Sequence, residues 1–560
     1  MQQVLLILNM CKANALIILR TYSLLLILII IEGIIFISIS KDVANIYPRF
    51  NDQIQYLSEA YLGFEYLKKE GPIEGLWQTL TNPSAQGVLN DFFALIIFII
   101  VGASREAALF VNFIFFALWQ IITFSAIKQS KFSSNVAWVC IGIMLCFKGF
   151  WKIDKEGSAF DFRLDFMAAN LMGIVLMAAI KSNGFISRKW SILFGALVGV
   201  TILTRFLTAT YFVVIYISII VVYSYHTNNK DRIKNIIIAA LTTIIIAAPL
   251  ILANIKYIYN YYVIGHIIGK ESVLRALDIG WGEKFLLIVR EAYKFQGPLF
   301  YIVILVIILA CYLTNQKTGE YRESKELVTP WMDTVSNWRV LGVIFLLSPI
   351  IILTIHKQFS ATVLGILCPG SLVLITSIIA PKIENGLKKL SINTRKKFVI
   401  MTIAVILLGF ISLGIKGKMQ PYSKEFQNDS DQLNRLVDFI YSKVINSQIQ
   451  APKIASDQVT DFLDAQIFRV MIYERHKLWV PLIMTLPTGI FEEDRQLIIN
   501  RLHESDFIFI TDKMENVGIW PYDKQMRKLY PELKNYSKEN LKLAGSYYLF
   551  GREISFYSKY

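Results

Sequence analysis

Phe92-Phe93-Ala94-Leu95-Ile96-Ile97-Phe98-Ile99-Ile100-Val101 is strongly apolar and uncharged, yet short. A helix needs about 20 residues to cross ~30 Å of hydrocarbon. The run therefore reads as interfacial or re-entrant. That reading sets the side of the membrane on which every later loop falls. Around it the 560-residue chain is 55% hydrophobic with a mean hydropathy of +0.49. Such a chain is a polytopic α-helical membrane protein, because each span must satisfy its own backbone hydrogen bonds in lipid.

The first span is read over 17–39, followed by a polar and amphipathic stretch over 40–104. Further spans are read over 106–127, 134–150, 166–180, 190–204, 207–225, 235–253, 297–314, 339–355, 360–380 and 398–415, about 11 in all. Lys12 and Arg20 precede the first span without a small-residue cleavage site, so an uncleaved span with a cytoplasmic N-terminus is expected. The net charge of +15 gathers in loops, including Lys128 with Lys131, Lys181 with Arg188, Lys317 with Arg322 and Lys325, and Lys382 to Lys397. With span 1 running outward, these loops fall on the cytoplasmic side, as the positive-inside rule requires. Nucleic acid is thus not the implied partner; membrane lipid is. An aromatic loop with Tyr257, Tyr259, Tyr261, Tyr262, His266 and Trp281 is expected at headgroup level. The five cysteines show no metal spacing and no disulfide framework.

From about Gly417 the composition turns soluble, giving a membrane domain over 1–416 and an extracytoplasmic α/β domain over 417–560, periplasmic in a bacterium. Leu433, Leu436, Val437, Ile440 and Val444 form a helical stripe. Leu478–Met484 and Phe507–Thr511 read as strands, with a helix over 492–503 between them. A closing hairpin is expected around Gly551-Arg552.

The candidate chemistry lies in two outer loops. Asp52 opens an amphipathic helix carrying Tyr56, Leu57, Ala60, Tyr61, Phe64 and Leu67, expected to lie on the membrane surface. A carboxylate there suits a general base or a cation ligand; a solvated loop charge is the plain alternative. The second loop holds Asp154, Glu156, Asp161 and Asp165. Asp161 and Asp165 are four apart and would share a helical face, calling for a positive partner: Lys152, Lys155, Arg163 or a metal. Asp165 abuts an apolar helix, where an acid is costly unless partnered, or it is a first-turn acid. Arg205 between two apolar segments suits a lipid phosphate, or snorkels to headgroups. His356 and Lys357, on the same predicted face, suit a phosphate or form an ordinary loop. The other histidines show no metal spacing.

Asn51-Asp52-Gln53-Ile54-Gln55-Tyr56, Leu164-Asp165-Phe166, Gly195 to Gly199 leading to Leu203-Thr204-Arg205, and Lys357 followed by Pro369 occur in an order that resembles the GT-C superfamily of polyprenyl-phosphate-sugar-dependent glycosyltransferases. The nearest likeness is to bacterial relatives of protein O-mannosyltransferases and the aminoarabinose lipid A transferase. Gln53 stands where the family typically has a second acid in the first loop. The resemblance implies a polyprenyl-phosphate-linked sugar donor and a glycan, lipid or protein acceptor outside the cell membrane. It implies Asp52 as the base of an inverting transfer, and Asp165, with Asp161 and Tyr56, orienting the acceptor or a divalent cation such as Mg or Mn. It gives the leaving phosphate to Arg205, His356 and Lys357. Two other classes stand beside it. A transporter or flippase of lipid-linked sugars predicts charges deep within spans and inverted repeats; the charges noted here stand at span edges. A membrane-anchored binding protein would make Asp52 and Asp165 dispensable.

Overall fold

The computed structural model describes residues 2–225, 230–269, 272–273, 276–316, 334–389, 407, 409, 424–447, 450–456, 463–485, 495–511 and 524–560. Among them six helices are long and apolar enough to cross a membrane, or up to seven if one bent pair counts as a span. The chain is a multi-pass membrane protein. The expected span 398–415, apart from 407 and 409, and the loop with Lys317, Arg322 and Lys325 lie outside the described residues.

Helix α1 (Gln2–Ala44) has its apolar stretch at Tyr22–Ala44. Glu32 lies inside that stretch, fully buried. Its two oxygens accept from Nε2 of Gln120 at 3.1 and 2.9 Å. A charge-bearing side chain therefore does sit deep within a span, contrary to the expectation of charges only at the edges. It persists because a polar partner on the next long helix meets it.

After α1 come α2 (Asn51–Glu70), α3 (Pro72–Thr81), α4 (Leu89–Val101) and α5 (Arg105–Gln129). The run that opened the sequence reading is α4, 13 residues and therefore about 20 Å long, short of a bilayer crossing. It packs against α2 and α5. Ile54, Leu57, Ala60 and Tyr61 of α2 are buried. The apolar face of α2 is thus covered by protein, α4 on one side and the C-terminal region on the other, and not by lipid as expected.

Helix α6 (Ser134–Leu145) ends early, and the chain turns into α7 (Lys148–Trp151) before an irregular loop. Helix α8 (Leu164–Lys181) is buried along its whole length, at the centre of the bundle. It is followed by α9 (Arg188–Thr204), α10 (Thr208–Tyr225) and α11 (Lys230–Ile258). Helix α11 continues as a π-helical segment, Tyr259–Ile268. Together they make 39 residues, about 58 Å, nearly twice the hydrocarbon thickness. Tyr257, Tyr259, Tyr261, Tyr262 and His266 therefore stand on helical backbone, not on the loop expected for them.

Helix α12 (Trp281–Gln296) meets α13 (Pro298–Gln316) at 80°. Helix α14 (Thr334–Ile355) follows, then a 3-10 segment Ala361–Leu367 that runs into α15 (Cys368–Lys389).

The C-terminal region contains α16 (Lys424–Ser447), β1 (Lys453–Ser456), α17 (Ala465–His476), β2 (Ile483–Met484), α18 (Arg495–Glu504), β3 (Phe507–Thr511), α19 (Lys524–Asn540), β4 (Lys542–Leu549) and β5 (Arg552–Ser558). Its sheet runs β2-β1-β3-β5-β4, with β1 parallel to β2 and β3, and β5 antiparallel to β3 and β4. Along β3 the side chains alternate between two buried faces. Phe509 stacks on Phe468 and Phe556, while Ile508 and Ile510 join Ile498, Leu502, Leu529 and Leu533. The first face belongs to one apolar core that is continuous with the membrane helices. Of the expected strand 478–484 only Ile483–Met484 pairs into the sheet; β1 and helices α17 and α19 lay beyond the sequence reading.

Candidate active site

The second acidic loop is shaped before it is charged. Nδ2 of Asn112, on α5, donates to the carbonyls of Ala159 and Asp161 at 3.1 and 3.0 Å. The Phe160 ring stacks on Phe36 with centroids 5.0 Å apart. At Gly157 φ is +74°, and a Cβ there would stand 2.5 Å from the carbonyl oxygen of Thr362, so only glycine fits. The Gly157 N–H donates to Oδ2 of Asp161 at 2.7 Å. This holds the Asp161 carboxyl inward, where burial pushes its pKa up to about 7 against the pull of Arg163 and of that N–H. Asp161 lies in the loop, because α8 starts only at Leu164. The helical face expected for Asp161 and Asp165 together does not form.

Arg163 immediately precedes α8 with extended backbone. Its guanidinium is nearly buried and reaches three carboxylates: Nη2 to Oδ2 of Asp52 at 2.5 Å, Nη1 to Oε2 of Glu156 at 3.2 Å, and Nε to Oδ2 of Asp161 at 3.5 Å. Nε2 of Gln53 adds a long hydrogen bond to the Phe160 carbonyl, 3.5 Å. The two acidic loops thus meet through Arg163. Asp52 keeps 45% of its side chain exposed despite this pairing.

Asp165, in the first turn of α8, meets Arg205 at 2.7 Å between Oδ1 and Nη1. Arg205 ends α9, and its backbone is fixed from outside. The Val88 N–H donates to Leu203 and the Phe206 N–H to Gln86, at 2.9 and 2.7 Å. Between those bonds, a Cβ on Gly87 would stand 2.0 Å from the Thr204 carbonyl oxygen. Arg205 Nε and the Tyr211 hydroxyl are buried with no hydrogen-bond partner among the described residues.

Tyr56 sits one turn after Asp52 on α2, fully buried. Burial and the Asp52 charge push its pKa up, and Arg205 pulls it partly back. Glu59 follows on the same face and shares a hydrogen bond with Asp91 of α4. Burial raises the pKa of both, so the two carboxyls are suited to share one proton.

The π-helical segment supplies the remaining wall. Tyr262 lies within electrostatic reach of Arg205 and Asp165. The His266 ring lies 4.5 Å from that of Tyr261 and 5.9 Å from that of His356. His356 is half-buried, which lowers its pKa, and its Nδ1 accepts from the Gln358 N–H at 3.2 Å. Lys357 is exposed and donates from Nζ to the Ile267 carbonyl at 3.2 Å, so it pins the end of the π-helical segment.

Asp52, Tyr56, Asp161, Asp165 and Arg205 are therefore drawn into one site, with His356 at its edge through His266. Sequence reasoning named Arg163 only as one of several basic neighbours and assigned no role to His266, Tyr211, Glu59 or Asp91. The alternation Asp161-x-Arg163-x-Asp165 was the available signal for Arg163; a π-helical turn leaves no such mark. Arginine stands beside the acids where a cation was one expectation. Among the described residues no three His, Cys, Asp or Glu side chains converge on a metal position.

A membrane bundle whose two charged segments meet, with a C-terminal α/β region, is a fold shared with solved membrane-protein structures. The chain is similar to the crystal structure of ArnT from Cupriavidus metallidurans bound to undecaprenyl phosphate, with a TM-score of 0.56 and 12% identity over 96% of this chain and 98% of that one. Its similarity to the apo state of the same ArnT gives a TM-score of 0.57 and 11% identity over the same shares. At these identities the likeness is one of fold. No protein-family model matches the sequence, and no curated protein matches it.

Proposed function

We propose that the protein is an integral membrane glycosyltransferase. In this reading it moves a sugar from a polyprenyl phosphate to a hydroxyl of a glycan, lipid or protein on the outer face of the cell membrane. The observation that carries it is the pair of carboxylate–arginine contacts at one site: Asp52 with Arg163, half-exposed, and Asp165 with Arg205, buried. The ArnT fold, crystallised with undecaprenyl phosphate, supports a polyprenyl-phosphate donor.

Asp52 takes the proton of the acceptor hydroxyl as its oxygen attacks the anomeric carbon. The bond from that carbon to the phosphate oxygen breaks on the opposite face, giving inversion, and its electron pair stays on the phosphate. Positive charge and N–H donors stabilise that developing anion. The unpartnered Nε of Arg205 and the Tyr211 hydroxyl supply donors beside each other. His356 and Lys357 serve at the edge, the latter by holding the π-helical wall. Asp165 keeps Arg205 oriented, and Arg163 keeps Asp52 oriented. The region over 417–560 lies outside the membrane with the site. A transporter reading takes support from the buried Glu32, yet Gln120 already meets both oxygens of that carboxyl.

The test is a transfer assay in proteoliposomes supplied with a pool of polyprenyl-phosphate sugars, followed by mass spectrometry. Wild type is expected to consume one donor and Asp52→Asn to consume almost none. Equal consumption by both would move the chemistry elsewhere.

A further inference from the structure

We propose that the C-terminal α/β region is a clasp that sets the position of the Asp52 helix, with Glu474 as its central positioning residue; this rests on the reading of Asp52 as the base. The chain on both sides of Asp52 is held by that region. Upstream, the Tyr47 N–H donates to Oγ of Ser430 at 3.1 Å, the Tyr47 ring meets Phe550 edge-on at 5.3 Å, and the Arg49 guanidinium lies 4.2 Å over Phe426. Downstream, Arg469 Nη1 donates to Oγ of Ser58 at 3.2 Å, the Tyr61 hydroxyl donates to Oε1 of Glu474 at 2.8 Å, and the Tyr473 hydroxyl donates to Oε1 of Glu65 at 2.6 Å. The rings of Tyr61 and Tyr473 stack at 4.7 Å.

Arg105 closes the arrangement. Its Nε donates to Oε1 of Glu474 at 3.0 Å and its Nη2 to Oε2, while Nη1 donates to the Ile46 carbonyl at 2.5 Å. One partly buried carboxylate, with Arg105, thus ties the chain just after α1, the helix α2, the start of α5 and the C-terminal region together. A bidentate arginine–carboxylate pair fixes direction as well as distance.

The two faces of α2 separate the roles. At about 100° per residue, Ser58, Tyr61, Glu65 and Lys68 fall on one side, and Asp52, Tyr56 and Glu59 fall on the opposite side. The first set meets α17; the second faces Arg163, Arg205 and Asp91. The helix is held from behind while its front presents the reactive groups. A small rotation of α2 would carry Asp52 away from its target, and misplacement on the scale of an ångström is enough to slow a reaction strongly.

The experiment compares full-length wild type with Glu474→Gln by hydrogen exchange over residues 51–70, taking 164–181 as the internal reference, and by donor turnover. Exchange over 51–70 is expected to rise at least about tenfold with the reference unchanged. Turnover is expected to fall at least about tenfold while KM for the donor stays within about twofold. Faster exchange with unchanged turnover overturns the positioning role. Tyr473→Phe removes the bond to Glu65 but keeps the ring stack, so it should move both readouts the same way by less. It keeps the question decidable if Glu474→Gln does not fold. If wild type transfers no sugar from any donor, the transferase reading fails by itself. Exchange over 51–70 then still decides the clasp: unchanged protection in Glu474→Gln overturns it, and faster exchange there supports it.

Discussion

Asp52 and Asp165 each occupy the second position of a helix, and each carries an arginine on its carboxylate. Asp52 is 45% exposed at the side chain, and its partner Arg163 also serves Glu156 and Asp161. Asp165 is 5% exposed, and no other carboxylate among the described ion pairs reaches Arg205. The helix dipole favours both carboxylates as anions. Exposure separates them. An acid open to a substrate can exchange its proton with one, whereas an acid sealed against a single arginine is a strut for that arginine. The same chemical pair is therefore read as working part on one side of the site and as frame on the other.

The largest effect follows from removing the working part. Asp52→Asn is expected to cut turnover by about 10²–10⁴-fold, the usual contribution of a general base, with Tm nearly unchanged. Steady-state transfer and a thermal melt on the same preparation check this together. The frame should fail the other way. Asp165→Asn leaves Arg205 buried without its counter-charge, a loss of about 3–5 kcal/mol in stability. A melt that matches wild type would remove the distinction between the two pairs. An equal loss of stability in Asp52→Asn would remove it as well.

Much of this frame could be read from the chain. The amphipathic helix after Asn51, the apolar helix after Leu164, the break at Arg205 and the shortness of the Phe92–Val101 run all follow from periodicity and length. The partners of the acids did not follow. Arg163 reaches Asp52 only because Asn112 and Gly157, both remote in sequence from Asp52, fold the intervening loop. His266 and Tyr262 reach the site because a helix continues for ten more residues with a wider turn, and an aromatic-rich stretch looks the same as a headgroup loop on paper. The apolar face of α2 pointed equally well to lipid or to protein; Arg469, Tyr473 and Glu474 decide for protein from more than 400 positions away.

The next test concerns a third acid that belongs to neither pair outright. Asp161 is fully buried, accepts from the Gly157 N–H, and faces Arg163, with the charges of Glu156 and Asp165 nearby. Its pKa of about 7 in the folded protein lies above the ordinary carboxylate value near 4. Between those values the folded protein holds a proton that the unfolded chain has released. The stability this contributes is complete below about pH 4 and is lost as pH rises through about 7. From pH 5 to pH 8 the Tm of wild type should fall more than that of Asp161→Asn, whose amide does not titrate. Parallel traces would show that Arg163 keeps Asp161 ionised throughout, which would make it a second strut like Asp165.

The smallest expected effect lies at the outer end of the Arg163 cluster. Glu156 is 48% exposed at the side chain and meets Nη1 of Arg163 at 3.2 Å. Water competes for such a carboxylate, and an exposed pair of this kind is worth under about 1 kcal/mol. Arg163 is 8% exposed and keeps Asp52 and Asp161 when Glu156 is gone, so its side chain has no reason to move. Glu156→Gln should therefore leave Tm within a few degrees of wild type and turnover within a few-fold. Raising the salt concentration should change the variant and wild type alike. A large loss of turnover without loss of stability would mean that Arg163 is held by its exposed carboxylate and not by its buried one. The half-open pair at Asp52 would then depend on the solvent side of the site for its alignment, and its contrast with the sealed pair at Asp165 would be sharper than exposure alone implies.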